Sequence, residues 1–148
     1  VRKVAPKAVL TEAKLVCDLQ TLQAVIANRY DVVTRFSQSL KQVCVDELAK
    51  LKVKQHFANL NTRKVSQQII ANAKKIPEAE HATLQVIFEQ NPDLHTIHTM
   101  RQELAELWER SSKSSEQVVK HLQDWCHRAE NSGIAALEEF SLRLRSYA

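Results

Sequence analysis

The 148 residues carry 21 lysines and arginines against 17 aspartates and glutamates, a formal charge of +4, with one glycine, three prolines and three cysteines. So few turn-forming residues exclude a β-sandwich or barrel, and the abundance of Leu, Ala, Glu, Gln, Lys and Arg, which lose little side-chain freedom in a helix, predicts an all-α chain. Cys17, Cys44 and Cys126 are odd in number and far apart, which excludes a disulfide framework and points to a reducing, cytoplasmic setting.

The opening residues 1–17, with Arg2, Lys3 and Lys7 around Pro6, read as a basic linker, and residues 18–148 as one helical bundle domain. Asp18 is the expected N-cap of a long helix reaching about Lys52. Its stripe is Leu19, Leu22, Val25, Ile26, Val33, Phe36, Leu40, Val43, Leu48 and Leu51, at three- and four-residue steps. A break is expected over 56–61. Val65, Ile69, Ile70 and Ala73 then mark a shorter helix, which Pro77 ends by restricting Ile76.

Pro77 also suits the first turn of the next helix, where Glu78 and Glu80 meet the positive end of the macrodipole. Leu84, Ile87 and Phe88 form its buried face. Asn91-Pro92-Asp93 repeats the stop and start, and the helix after it turns Leu94, Ile97, Met100, Leu104, Leu107 and Trp108 to one side. Ser111 to Ser115 interrupts the pattern, and Ser114 with Gln117 makes a capping box. Val118, Val119, Leu122, Trp125, Cys126 and Ala129 follow as a stripe, and Asn131-Ser132-Gly133 ends that helix in a left-handed turn. The last helix buries Ile134, Leu137, Phe140 and Leu144 and places Arg143 and Arg145 at its negative end. The reading is a bundle of about six helices with one long N-terminal helix, no internal repeat and no stretch apolar enough to span a bilayer.

Few residues offer chemistry. His95 and His98, three apart, share a helix face, but a metal site needs more ligands, and Asp93 and His121 join them only through tertiary contact. Cys126 and His127 are helix neighbours pointing about 100° apart, so they form no thiolate–imidazole pair. Trp108 and Trp125 lie on core stripes rather than on a base-stacking surface. Arg101, Glu103, Glu106, Glu109 and Arg110 read as a solvated helix side. Glycine-rich phosphate loops, G-x-S-x-G and H-E-x-x-H are absent, so no catalytic, cofactor-binding or metal residue is assigned. The basic excess is mild and spread along the chain, which permits nucleic-acid binding without indicating it.

Met100-Arg101-Gln102-Glu103-Leu104-Ala105-Glu106-Leu107-Trp108, Leu122-Gln123-Asp124-Trp125-Cys126, Ala129-Glu130-Asn131-Ser132-Gly133-Ile134 and the closing run from Phe140 to Ala148 resemble the carboxy-terminal tail of bacterial membrane-bound fatty acid desaturases. The Leu22–Ile26 and Arg29-Tyr30-Asp31 block is similar to the start of that tail. The resemblance implies a non-catalytic cytoplasmic accessory domain, on the cytoplasmic face of the inner membrane, whose parent introduces a double bond into an acyl chain with oxygen and a diiron centre. Iron would sit on H-x-x-H-H clusters upstream of Val1, because His95-Thr96-Ile97-His98 lacks the further histidine. Arg2, Lys3 and Lys7 would then meet anionic headgroups, and the partners would be the membrane core of the parent or an electron-donor protein.

The same elements are also similar to a helical segment of insertion-sequence transposases with an Asp-Asp-Glu active site, where they precede the last catalytic glutamate. That resemblance implies a helical DNA-binding module. The three metal-binding carboxylates of such enzymes stand on a ribonuclease-H-like α/β core, for which no strand is predicted here.

Overall fold

Residues 19–54, 57–107 and 114–145 are described by a computed structural model, and among them there are seven α-helices and no strand. They are α1 (Leu19–Ala27), α2 (Arg29–Lys52), α3 (Thr62–Ile69), α4 (Glu78–Gln90), α5 (Pro92–Glu106), α6 (Ser115–Glu130) and α7 (Ala135–Arg145), with a single 3₁₀ turn at Ala73–Lys75. The all-α prediction holds. The predicted linker with Arg2, Lys3 and Lys7, the Asp18 cap, Cys17 and Trp108 lie outside the described residues.

The expected long first helix is two. At Asn28 the backbone N–H is shared between the carbonyls of Ala24 and Val25, both at 3.2 Å, and the side-chain amide donates to Ala24 O at 3.0 Å. Arg29 donates to Ile26 O at 3.1 Å, so side chains satisfy carbonyls that a continuous helix would have bonded itself. Helical bonding resumes at once, Val32 N–H reaching Asn28 O at 2.9 Å.

The chain divides into two compact units, and α2 and α5 each contribute to both. Val33–Glu103 is one unit, built from most of α2 and α5 with α3, the 3₁₀ turn and α4. Its core includes Phe36, Leu40, Cys44, Leu48, Ile69, Ile87, Leu94 and Ile97. Along α2 the buried positions are 32, 36, 40, 44, 48 and 51, so Val32 and Cys44 occupy the stripe where Val33 and Val43 were expected. Each step of four advances about 40° round a helix, so the buried line slants across α2 from Val32 to Leu48 and steps back at Leu51. Burial in this apolar line pushes the Cys44 thiol up to about 12, which makes it an inert packing group.

The other unit comprises the residues up to 32 and from 104 onward. Leu122, Trp125, Cys126 and Ala129 of α6 face Leu137, Phe140 and Leu144 of α7 across its core, all of them buried. Trp125 meets Phe140 edge to face, with ring centroids 5.9 Å apart. Ser114 accepts from Gln117 N–H while the Gln117 side chain accepts from Ser114 N–H, so the predicted capping box is formed. Gly133 has φ 77°, the left-handed turn expected of it.

Candidate nucleic-acid interface

Two local features of Val33–Glu103 bear on function, and the first follows from the way α3 ends. A helix leaves its last carbonyls without intrahelical donors. Here α5 supplies them from one face: His98 Nδ1 donates to Ile69 O at 2.9 Å, Arg101 Nε to Ile70 O at 3.1 Å and Gln102 Nε2 to Ala71 O at 2.7 Å. Ser37 of α2 adds a second donor to Ile70 O at 3.1 Å, and Gln102 Oε1 accepts from Ala73 N–H at 3.0 Å. Positions 98, 101 and 102 fall on one side of a helix, which is why three successive carbonyls can be met together.

This clamp ends α3 at Ile69, seven residues before the point at which Pro77 was expected to end it. Asn72 then caps the 3₁₀ turn, its side chain accepting from Lys74 N–H at 3.0 Å. Pro77 is the N-cap of α4 rather than its first helical residue.

The clamp also accounts for the paired histidines. Because a carbonyl can only accept, the hydrogen bond to Ile69 fixes the proton on His98 Nδ1. Burial lowers the His98 pKa, the Ile69 bond opposes it, and the nearby His95, Arg101 and His81 side chains act in the same direction as burial. His95 stacks on Phe88 at 5.1 Å between ring centroids and His98 lies against the same ring at 5.2 Å. No group of three or more His, Cys, Asp or Glu side chains able to hold a metal ion occurs among the described residues. Asp93, His121 and His127 are exposed, whereas Cys126 is buried, so Cys126 and His127 turn to different surroundings.

The second is a run of exposed cations, of which Lys64 and Lys75 share one groove. Residues 48–77 include Lys50, Lys52, Lys54, Arg63, Lys64, Lys74 and Lys75, and no aspartate or glutamate. All seven are exposed. Lys50 pairs with Glu47 at 2.7 Å, Lys64 pairs with Glu80, and Lys54 bonds Gln90 Oε1 at 3.3 Å. Lys52, Arg63, Lys74 and Lys75 make no ion pair among the described residues.

On α3, Val65, Ser66 and Ile69 turn inward, so Arg63, Lys64 and Gln67 form the outward face. Asn61 caps this helix, accepting from Lys64 N–H at 3.1 Å. Lys64, Gln67, Gln68 and Lys75 line a shallow groove of about 360 Å³ along with Pro77 and Glu80. A larger groove of about 580 Å³ shares Lys64, Gln68 and Glu80 with it and has Phe57, Leu60, Val65 and Val86 as apolar walls. Glu80 stands where the two meet, bound by Lys64 and Gln68, and the Lys64 ammonium is the main cause of its lowered pKa.

In the other unit one polar cluster is inward. Arg145, expected only to face the negative end of α7, is fully buried and donates through Nε to Glu130 Oε2 at 2.6 Å. Ser141 Oγ lies 2.6 Å from the same oxygen and 3.2 Å from Cys126 O. Such a cluster ties α7 to α6 and presents nothing to solvent.

Residues 13–148 match the sequence profile of the ISL3-type DDE family described as Transposase. The chain belongs to this transposase family. The transposase for insertion sequence element IS1001 of Bordetella parapertussis is 31% identical over 80 residues, which are 53% of this chain and 19% of that protein. The chain thus spans about a fifth of the curated relative it matches. No solved structure matches it. The comparisons offer no support for a desaturase tail, and the residues that suggested one fall inside the transposase match. No helix among the described residues is long and apolar enough to cross a membrane.

Reading total charge along this transposase chain hides the run of cations. The overall excess is only +4, because all 17 carboxylates fall outside 48–77 and outnumber the 14 lysines and arginines there. The informative signal is the missing carboxylates, visible in the sequence once the acidic positions are mapped separately from the basic ones.

Proposed function

We propose that this chain is a helical, DNA-holding part of a transposase and that its cationic surface grips the phosphate backbone. The observation that carries this reading is the acid-free run 48–77 in a member of a transposase family. Lys52, Arg63, Lys74 and Lys75 are exposed cations without competing carboxylates, and phosphates would replace only water and counterions around them. The clamp from α5 fixes the backbone that carries Lys74 and Lys75, so less ordering entropy opposes binding.

Strand transfer by three metal-binding carboxylates on a ribonuclease-H-like core finds no place on the described residues, which hold neither a strand nor a cluster of three metal-ligand side chains. The role supported here is to position DNA for chemistry carried by other parts of a longer transposase, of whose relative this chain covers 19%.

The test is a salt titration of duplex DNA binding by fluorescence anisotropy. Neutralising about four phosphates predicts a log–log slope of about −4, and Lys74→Glu with Lys75→Glu should flatten it by about two while weakening binding. Absence of binding at low salt, or binding indifferent to both substitutions, would remove the reading.

A further inference from the structure

We infer that the larger groove beside α3 receives an unpaired nucleobase of a DNA strand whose phosphates lie on the cationic surface. The inference rests on the DNA-holding reading above and adds the state of the DNA.

A surface built only to hold duplex phosphates has no use for an apolar hollow. The groove of about 580 Å³ is large enough for a base and its sugar, lying within the usual ligand-pocket range of roughly 300–1,000 Å³. Its apolar walls are Phe57 and Leu60 from the α2–α3 connection, Val65 from α3 and Val86 from α4. Val86 is 49% exposed, a high figure for a β-branched apolar residue, and lines this groove.

Around these walls are amides, the side chains that meet base edges with both donors and acceptors. Asn59 is exposed and makes no hydrogen bond among the described residues. The Asn61 carbonyl is engaged in capping α3, which leaves its amide hydrogens available, and Gln68 donates to Glu80, which leaves its carbonyl available. Glu80 is a further acceptor, able to meet an exocyclic amine of a base.

The neighbouring groove begins at the shared Lys64 and continues to Lys75, so a strand with its base in the apolar hollow has cations along the path of its backbone. A cationic track beside an aromatic wall is how proteins hold single-stranded nucleic acid, whereas a paired base keeps its faces inside the stack and cannot enter. Charge complementarity along residues 48–77 selects a nucleic acid over an apolar peptide as the occupant.

The test uses the full chain and two fluorescein-labelled probes, a perfect duplex and the same duplex with one central gap exposing a single 2-aminopurine. The gapped probe should bind about tenfold more tightly, and its 2-aminopurine emission should be quenched on binding. Phe57→Leu, which keeps apolar volume but removes the ring, and Val86→Gln, which fills the hollow from an exposed position without adding charge, should each abolish that preference and leave duplex binding unchanged. Equal binding of both probes, or a preference indifferent to both substitutions, overturns the inference and leaves the duplex reading standing. Failure to bind either probe at low salt overturns both.

Discussion

Arg145 and Glu130 form an ion pair at 2.6 Å with side chains that are 0% and 6% exposed, joining the last turn of α7 to the end of α6. Two charges removed from water are costly to separate, because whichever remains is stranded in a low-dielectric site. Arg145→Met should therefore lower stability by about 3–5 kcal/mol, whereas Arg145→Met with Glu130→Leu should recover most of that loss. Ser141 retains Cys126 O as an acceptor in the double variant. Urea denaturation of the wild type and the two variants measures the recovery, and a double variant no more stable than the single one would refute the account.

Gln102 is the two-way element of the α5 clamp, donating to Ala71 O and accepting from Ala73 N–H. Gln102→Ala removes both bonds from partly buried backbone groups, and each such group left unmet costs about 1–3 kcal/mol. The expected outcome is a loss of this order, with faster amide hydrogen exchange at Ala73. Gln102→Glu, which keeps the acceptor but not the donor, should fall between them. Unchanged exchange at Ala73 in Gln102→Ala would show that the turn does not depend on the clamp.

His98 gives the molecule a pH dependence whose sign follows from burial. Its pKa in the fold lies below the ordinary histidine value of 6.5, so the unfolded chain binds the proton more readily. The contribution is fully present above about 6.5 and is lost as pH falls through the lowered value. Glu47 and Glu80 are also lowered, from 4.5, by their lysine partners, so their contributions are lost only in more acidic solution. A first decline in thermal stability below about 6.5, absent in His98→Gln, is expected. An identical profile in His98→Gln would assign that decline to another group.

Legibility in the sequence tracked how local the determinant was. The Ser114–Gln117 box, the Gly133 turn and the buried Leu84, Ile87 and Phe88 set depend on spacing within a few residues, and all were read correctly. The early end of α3 was not, because its cause is α5, about 30 positions away in the chain, reaching back with His98, Arg101 and Gln102. The role of Arg145 is hidden for the same reason: a terminal cation beside a helix dipole and a buried partner of Glu130 look alike until α6 and α7 are packed. Within the candidate interface, the absence of acids over 48–77 was there to be read, but the groove walls Phe57, Leu60 and Val86 come from separate elements with no shared periodicity.

Glu80 is the one carboxylate lining the α3 grooves, and it occupies Lys64 and Gln68. A phosphate approaching Lys64 must compete with it. Glu80→Gln keeps the size and the hydrogen-bonding reach of the side chain but removes the charge, which frees the Lys64 ammonium for DNA and ends repulsion of nearby phosphates. Duplex binding should strengthen about two- to tenfold at low salt, and the salt slope should steepen by about one, the signature of one more neutralised phosphate. Lys64→Gln in the same background should cancel both changes, since the gain is assigned to that lysine. Tighter binding with an unchanged slope would mean that Glu80 acts through shape, and weaker binding would mean that its carboxylate contacts DNA directly.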